Sequence, residues 1–241
     1  MRSERNIALV LAGGYGSRAQ TECPKQFVKV GGRMVLAYTA AAFEKHEEID
    51  SFYVVCADYW RERVCREMES IGFGKFSGTF TSGATSMESL RSGVEGLAAR
   101  HLPDDTVVMV HEAVRPLVSH AVISDALTVC RSRGNAISGV ESHESYMKSP
   151  TGVEANGMQS RYGLFRAQMP QTFTLGSLRH AFELAMQRGI HTSQSLFTLM
   201  AELGAFPLYV SRGEHSNMKL TFPEDLNLFS ALVRGGYVEI P

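Results

Sequence analysis

Short apolar runs alternate along the chain with longer segments in which apolar residues recur every three to four positions. Asn6–Leu11 (NIALVL), Ser51–Cys56 (SFYVVC), Phe76–Thr81, Thr106–Val110 (TVVMV) and Ala136–Val140 are rich in β-branched or aromatic residues, and each predicts a strand. Between them, Met34–His46, Asp58 to about Ile71, Ser86–Ala99 and Ser119–Arg133 predict helices. In the first helix Val35, Leu36, Tyr38 and Phe43 form the apolar stripe. Asp58 is placed to cap the second, because a carboxylate accepts an N–H from the first turn. Thr85 and Glu88 make a capping box for the third. Alternation of this kind argues for an α/β fold: a Rossmann-like, mostly parallel sheet with helices on both faces.

The rhythm breaks over residues 141–166, which are polar, carry Pro150, Gly152, Gly157 and Gly163, and have no helical period. A linker or a projecting β-arm fits this pattern. The stretch exceeds the roughly 12–15 residues that a structureless connection usually spans, so pairing with its two-fold copy in a homodimer is expected. The alternation then resumes with helices Thr174–Gln187 and Ser193–Leu203, strands Phe206–Val210 and Asn217–Thr221, and a final helix Pro223–Arg234. Pro223 suits the first helical position, and Glu224 and Asp225 suit its positive end. Residues 1–241 thus read as one domain, with 141–166 as a dimerisation arm.

With 44% hydrophobic residues and a net charge of −1, the chain can build a sizeable core and has no basic surplus for nucleic acid. No apolar stretch nears the roughly 18 residues that span a bilayer, so no membrane contact is expected. The start, MRSERNIALVLAGG, has the cations and apolar run of a signal peptide, but glycines end that run after about six residues. Cys23, Cys56, Cys65 and Cys130 form no C-x-x-C pair, which leaves no zinc knuckle or disulfide framework and points to reduced thiols in the cytoplasm.

The candidate chemistry begins at the end of the first strand, in LAGGYGSRAQTECPKQF (residues 11–27). Gly13, Gly14 and Gly16 permit a tight turn whose N–H groups face an anion, and Arg18 and Lys25 add two cations, a combination suited to a polyphosphate. Residues 14–19 also fit the dinucleotide pattern G-x-G-x-x-G/A. Against that reading, Pro24 interrupts the helix that should follow, and Asp58 lies about twice as far on as the ~20 residues expected for a ribose acid. Ligands of open α/β sheets bind outside the carboxyl ends of strands. HEAVRP (residues 111–116) and RGEHSNMKLT (residues 212–221) also follow strands, so the three clusters are expected to converge.

Taken together, A-G-G-x-G-x-R, P-K-Q-F, HEAVRP and N-x-K-x-T-x-P-E-D-L resemble the alditol-phosphate cytidylyltransferases, from Ile7 to about Leu232. This family includes the enzymes acting on 2-C-methyl-D-erythritol 4-phosphate and on D-ribitol 5-phosphate. LAGG, PKQF and HEAVRPLVSH lean toward the ribitol branch. The resemblance implies transfer of CMP from CTP to a sugar-alcohol phosphate, with release of pyrophosphate and a need for Mg2+. It implies catalytic roles for Arg18, Lys25 and Lys219, and nucleotide contacts from Ala12, Gly13, Gly14 and Gly16. Gly83 and Ser89 belong to the loop that would read cytosine, and Glu112 would stand near ribose and magnesium. Arg161, in the arm, would reach the acceptor phosphate of a neighbouring subunit, and Thr192 would lie on the acceptor side. Arg115 is expected to brace its loop against an acid, His111 to act as a loop hydrogen-bonder, and Asn217 to order the loop before Lys219.

The chain departs from the family pattern at several positions. Glu112 replaces an aspartate, Ser86 an arginine and Met169 a threonine, and Thr192-Ser193-Gln194 replaces an element that holds Thr-Asp. Most of these touch the acceptor side. The acceptor therefore stays open between ribitol phosphate, methylerythritol phosphate and another small phosphate or phosphonate. A nucleotide-binding relative with impaired turnover is the other alternative.

Overall fold

A computed structural model describes residues 6–14, 23–239 and 241. In chain order, β1 (Asn6–Leu11) leads to a one-turn 3-10 helix (Lys25–Phe27) and a small hairpin of β2 (Lys29–Val30) and β3 (Arg33–Met34). Next come α1 (Val35–Lys45), β4 (Ser51–Cys56), α2 (Asp58–Ile71), β5 (Phe76–Thr81), α3 (Ser86–Ala98), β6 (Val107–Glu112) and α4 (His120–Arg133). The second half holds β7 (Asn135–Glu141), β8 (Tyr146–Lys148), β9 (Gly157–Gln159), β10 (Phe165–Thr174), α5 (Leu175–Gln187), α6 (Leu196–Glu202), β11 (Val210–Arg212) and α7 (Pro223–Arg234). Seven strands form the central sheet in the order β11-β7-β10-β6-β1-β4-β5.

Both faces of this sheet are covered, which is why its central strands read as unbroken apolar runs. Successive side chains on a strand point to opposite faces. Ala8 and Val10 of β1 pack with Leu36 and Phe43 of α1, Val64 of α2 and Leu127 of α4. Ile7 and Leu9 pack on the other face with Leu90 and Val94 of α3, Phe182 of α5 and Leu199 of α6. A third cluster joins Val30, Val35 and Tyr38 to Leu220, Phe229 and Val233, and so fastens α7 to the hairpin and α1.

The β1–β4, β1–β6, β4–β5 and β7–β11 pairs are parallel, as the alternation predicts. Strand β10 is a correction. It runs antiparallel to both β6 and β7, and no strand is predicted there. Its sequence, FRAQMPQTFT, hides it because the first three residues are exposed and the register shifts between Ala167 and Gln171, where Pro170 has no N–H to donate. Three further expectations fail near the C-terminal half. Helix α6 starts at Leu196, capped by Ser195, rather than at Ser193; β11 begins at Val210; and 217–221 is a loop. At α2 the cap position is Ala57, and the Asp58 carboxylate instead accepts from Thr81 Oγ1 at 2.7 Å.

The 141–166 stretch contains a β-arm. Strands β8 and β9 pair antiparallel, Met147 opposite Met158, and the side chains of Met147, Val153, Met158 and Tyr162 are exposed. No helix among the described residues is long and apolar enough to cross a membrane, and Cys56, Cys65 and Cys130 are free thiols.

Close helix–sheet packing generates a stability prediction. A Cβ on Gly93 of α3 would come within 2.7 Å of Leu9 Cδ2 and 2.9 Å of Val55 Cγ2. Overpacking costs about 1–3 kcal/mol, more than the gain of about 1 kcal/mol from alanine's helix propensity. Gly93→Ala should therefore lower the urea midpoint without changing the denaturant slope. A raised midpoint would show that α3 can move off the sheet.

Candidate active site

A cavity of about 400 Å³ opens at the carboxyl ends of β1 and β6. The three predicted clusters meet there: Gly13 and Gly14 after β1, Glu112 at the end of β6, and Lys219 before α7. Lys25 and Gln26 of the 3-10 turn, residues 84–87 and Ser89 at the start of α3, Met169, and residues 193–196 add to the lining. Gly16 and Arg18 lie outside the described residues.

The glycine-rich loop is held by an amide that motif reading gave no role. Gln26 Nε2 donates to Ala12 O and Gly14 O, both at 2.7 Å, while Ala12 N donates to Val55 O. Its position in PKQF was the available signal. Neither Gly13 nor Gly14 takes a positive φ. Gly13 is needed for close approach instead, since a Cβ there would stand 2.6 Å from Ser82 Cβ and 2.8 Å from Ser89 Oγ, whereas a Cβ on Gly14 would meet nothing within 4 Å among the described residues. The predicted base-reading loop is also self-braced. Thr85 Oγ1 accepts from Glu88 N, and the Glu88 carboxylate accepts from Ala84 N, one residue earlier than a capping box requires. Glu88 packs where a Gly83 side chain would be. Ser89 Oγ donates to Thr85 O at 2.8 Å and accepts from Gly83 N, so its hydroxyl closes the loop.

Glu112 sits between two cations. Its Oε2 accepts from Arg115 Nε at 2.7 Å and its Oε1 from Lys219 Nζ at 2.5 Å. Burial pushes its carboxyl up, but the Lys219 and Arg115 charges together outweigh burial and hold it below the usual carboxylate range. Arg115 also donates to Asn217 O at 2.9 Å, Asn217 Nδ2 to Met169 O at 2.6 Å, and Leu220 N to Val114 O. The expected bracing roles of Arg115 and Asn217 match these bonds. Lys25, almost fully buried, donates from Nζ to Thr221 O at 2.6 Å.

The family model of IspD, 2-C-methyl-D-erythritol 4-phosphate cytidylyltransferase, matches residues 6–235. The chain belongs to the IspD family. The ribitol-5-phosphate cytidylyltransferase of Lacticaseibacillus paracasei is 33% identical over 229 residues, 94% of this chain and 97% of that protein. The 2-C-methyl-D-erythritol 4-phosphate cytidylyltransferase of Geotalea uraniireducens is 32% identical over 234 residues, 95% and 97% of the two chains. The crystal structure of 4-diphosphocytidyl-2C-methyl-D-erythritol synthase from Anaerococcus prevotii shares the fold, with a TM-score of 0.80 over 96% of this chain and 99% of that one, at 20% identity.

Four described residues carried over from the IspD family pattern do not line this cavity: Ala12, which is buried behind the glycine loop, Gly83, Thr192 and Arg161. Thr192 is exposed and does not line it, although its neighbours Ser193, Gln194 and Ser195 do. Ser193 is turned away to Glu202, to which its hydroxyl donates at 2.5 Å. Arg161 is exposed in the arm, where it donates to His143 O at 3.2 Å. Two glutamines without an assigned role brace the segments next to Met169 and Leu196: Gln168 exchanges hydrogen bonds with the Glu214 backbone, and Gln171 Oε1 accepts from Phe197 N.

For a metal, Glu112 is the one carboxylate among the described lining residues. Both its oxygens already accept from cations, so no all-protein cage forms. A single carboxylate beside substrate phosphates is still enough for magnesium, which usually keeps several waters. Outside the cavity, His46, Glu47 and His120 have ligand-type atoms within 4.8 Å of one another. Their hydrogen bonds explain this cluster without an ion. Glu48 N donates to His46 Nδ1, which leaves the proton on His46 Nε2, facing Ser124 Oγ at 2.9 Å. Ser124 Oγ in turn meets His120 Nδ1, and His120 Nε2 meets Glu47 at 2.7 Å. His46 thus presents a proton, not a lone pair, on the side a metal would need.

His111 is fully buried under the Glu112 loop, with Nε2 facing Arg115 O at 3.1 Å and Nδ1 unpartnered among the described residues. A carbonyl can only accept, so the proton is on Nε2. Burial holds the ring's pKa down to about 4, from an ordinary 6.5. The unfolded chain therefore binds the extra proton first as pH falls. This contribution, about 3 kcal/mol, is complete above pH ~6.5 and is lost as pH drops toward ~4. His111→Gln, which keeps a donor to Arg115, should show a flatter fall in unfolding free energy across that window. Identical slopes would mean that folding does not lower the His111 pKa.

Proposed function

We propose that this chain transfers CMP from CTP to a sugar-alcohol phosphate, with D-ribitol 5-phosphate as acceptor and pyrophosphate as second product. The observation that carries this reading is the meeting of Lys25, Lys219 and the Gly13–Gly14 loop around one cavity in a member of the IspD family. The acceptor assignment draws on the ribitol-5-phosphate relative and on the uncharged wall at residues 193–195, where Gln194 offers an amide suited to a polyol. The Geotalea relative favours the second reading, 2-C-methyl-D-erythritol 4-phosphate.

In this mechanism an acceptor phosphate oxygen attacks the α-phosphorus of CTP. The bond from that phosphorus to the oxygen bridging to the β-phosphate breaks, and pyrophosphate leaves with the electron pair. Negative charge grows on the five-coordinate transition state, so the protein's task is alignment and charge stabilisation. Lys25 and Lys219 are assigned to the α and β phosphates, and Arg18 to a bidentate clamp. The attacking oxygen is already anionic and needs no base, which accords with a neutral, buried His111. Glu112 fixes Lys219 and is the carboxylate available to a magnesium ion carried on the triphosphate, where the ion would neutralise phosphate charge. The free thiols of Cys56, Cys65 and Cys130 support a cytoplasmic setting.

Pyrophosphate release from CTP with magnesium should be fastest with D-ribitol 5-phosphate, slower with 2-C-methyl-D-erythritol 4-phosphate, and abolished by excess chelator. Preference for methylerythritol phosphate would select the second reading, equal use of ATP would remove the cytidylyl assignment, and activity in chelator would remove the metal.

Lys25→Ala and Lys219→Ala should each lower kcat by about 10²–10³, the usual loss when one charge-stabilising donor is removed. Circular dichroism should show both variants folded. Near-normal turnover would take that lysine out of the mechanism.

The exposed Met147, Val153, Met158 and Tyr162 support pairing of the arm with its two-fold copy, which would carry Arg161 to the partner's acceptor site. Light scattering should give a dimer. Shortening residues 141–166 should lower assembly and activity together, and a fully active monomer would refute the shared site.

A further inference from the structure

The loop between β11 and α7 has no regular structure, yet the peptide joining Thr221 to Phe222 is held from both sides. The carboxylate of Asp225, the third residue of α7, accepts from Phe222 N at 2.8 Å and from Thr221 N at 2.6 Å, both on Oδ2. The carbonyl of the same peptide, Thr221 O, accepts from Lys25 Nζ. In a trans peptide the N–H and C=O lie in one plane and point in opposite directions. An acid on the N–H side therefore sets where the carbonyl points. It also strengthens that carbonyl as an acceptor, because bonds in series polarise one another. Asp225 and the Lys25 ammonium thus stand at opposite ends of one rigid dipole.

We propose that Asp225 is a positioning residue for Lys25, acting through the Thr221–Phe222 peptide as well as capping α7. The proposal rests on the reading of Lys25 as a phosphate-binding catalytic lysine. An ammonium that must meet a transition-state phosphate loses rate steeply when its anchor shifts by an ångström.

The test is a double-mutant cycle on the full-length protein, with CTP and the acceptor that proves active. Asp225→Ala should lower kcat about ten- to a hundredfold with little change in KM for CTP. Asp225→Asn keeps an oxygen facing both N–H groups and should stay near wild type. In a Lys25→Ala background, Asp225→Ala should cost no more than about twofold further, because the two residues act in series. Ser119→Ala removes a cap of similar kind from α4, where Ser119 Oγ accepts from Val122 N, and should leave kcat unchanged. Wild-type kcat in Asp225→Ala, a loss that multiplies fully with Lys25→Ala, or an equal loss in Ser119→Ala would overturn the proposal. If Asp225→Ala does not fold, Asp225→Glu keeps the charge at the helix start and moves the oxygen by one methylene. Folded with reduced kcat it supports the proposal, and folded with full kcat it overturns it. Near-normal turnover of Lys25→Ala alone would remove the functional reading instead.

Discussion

The site is organised by one carboxylate that is compensated on both oxygens. Glu112 leaves the end of β6 and meets Arg115 from its own loop and Lys219 from the segment before α7. A largely buried acid needs such partners to stay ionised. Because the partners come from two parts of the chain, satisfying the acid also closes the C-terminal segment over the sheet. Arg115 extends the link to Asn217, and Asn217 extends it to Met169 in β10. Removing one cation from this arrangement would leave charge uncompensated in a half-buried setting, so the three residues behave as a unit in both stability and site geometry.

The fold was readable in sequence where burial is symmetrical. Strands β1, β4 and β6 are covered on both faces, so SFYVVC and NIALVL stand out as apolar blocks between polar helices. Strand β10 was unreadable because its two halves have different surroundings, exposed near Phe165 and buried from Gln168 onward. Residues 217–221 alternate in polarity like a strand, but Met218 and Leu220 are drawn into the α7 cluster while Asn217 and Thr221 spend their hydrogen bonds on β10, Lys25 and Asp225. Alternation there records contact with two neighbours, not membership of a sheet.

The site was legible to the extent that its chemistry is charged. Lys25 stood out beside the glycine-rich loop, Lys219 and Glu112 through the family motifs, and all three line one cavity. The neutral groups were harder to read. Gln26 holds the glycine loop through both protons of a single amide, a role that depends on where two carbonyls point. Gly13 was read as conformational freedom, yet its need is steric and comes from Ser82 and Ser89, about 70 residues away by position. Thr192 and Ser193 differ by one position, but only the second reaches the cavity wall. Side-chain direction within a loop has no period for a sequence to display.

The reversed direction of β10 has a topological consequence. Because β10 runs against β6 and β7, the chain leaving β7 at Glu141 returns as a hairpin, with Ser142 N donating to Leu164 O just beyond the last paired residues. A parallel β10 would have required a crossover to the opposite edge of the sheet. The inversion makes everything inserted between β7 and β10 spring from the edge that bears the cavity. At its base the His143 ring lies 5.9 Å from that of His215, in the segment leading to Lys219. Insertions here can change length and sequence without disturbing any sheet register, but they cannot leave the rim of the site. One antiparallel strand thus gives this architecture a fixed address for variable structure.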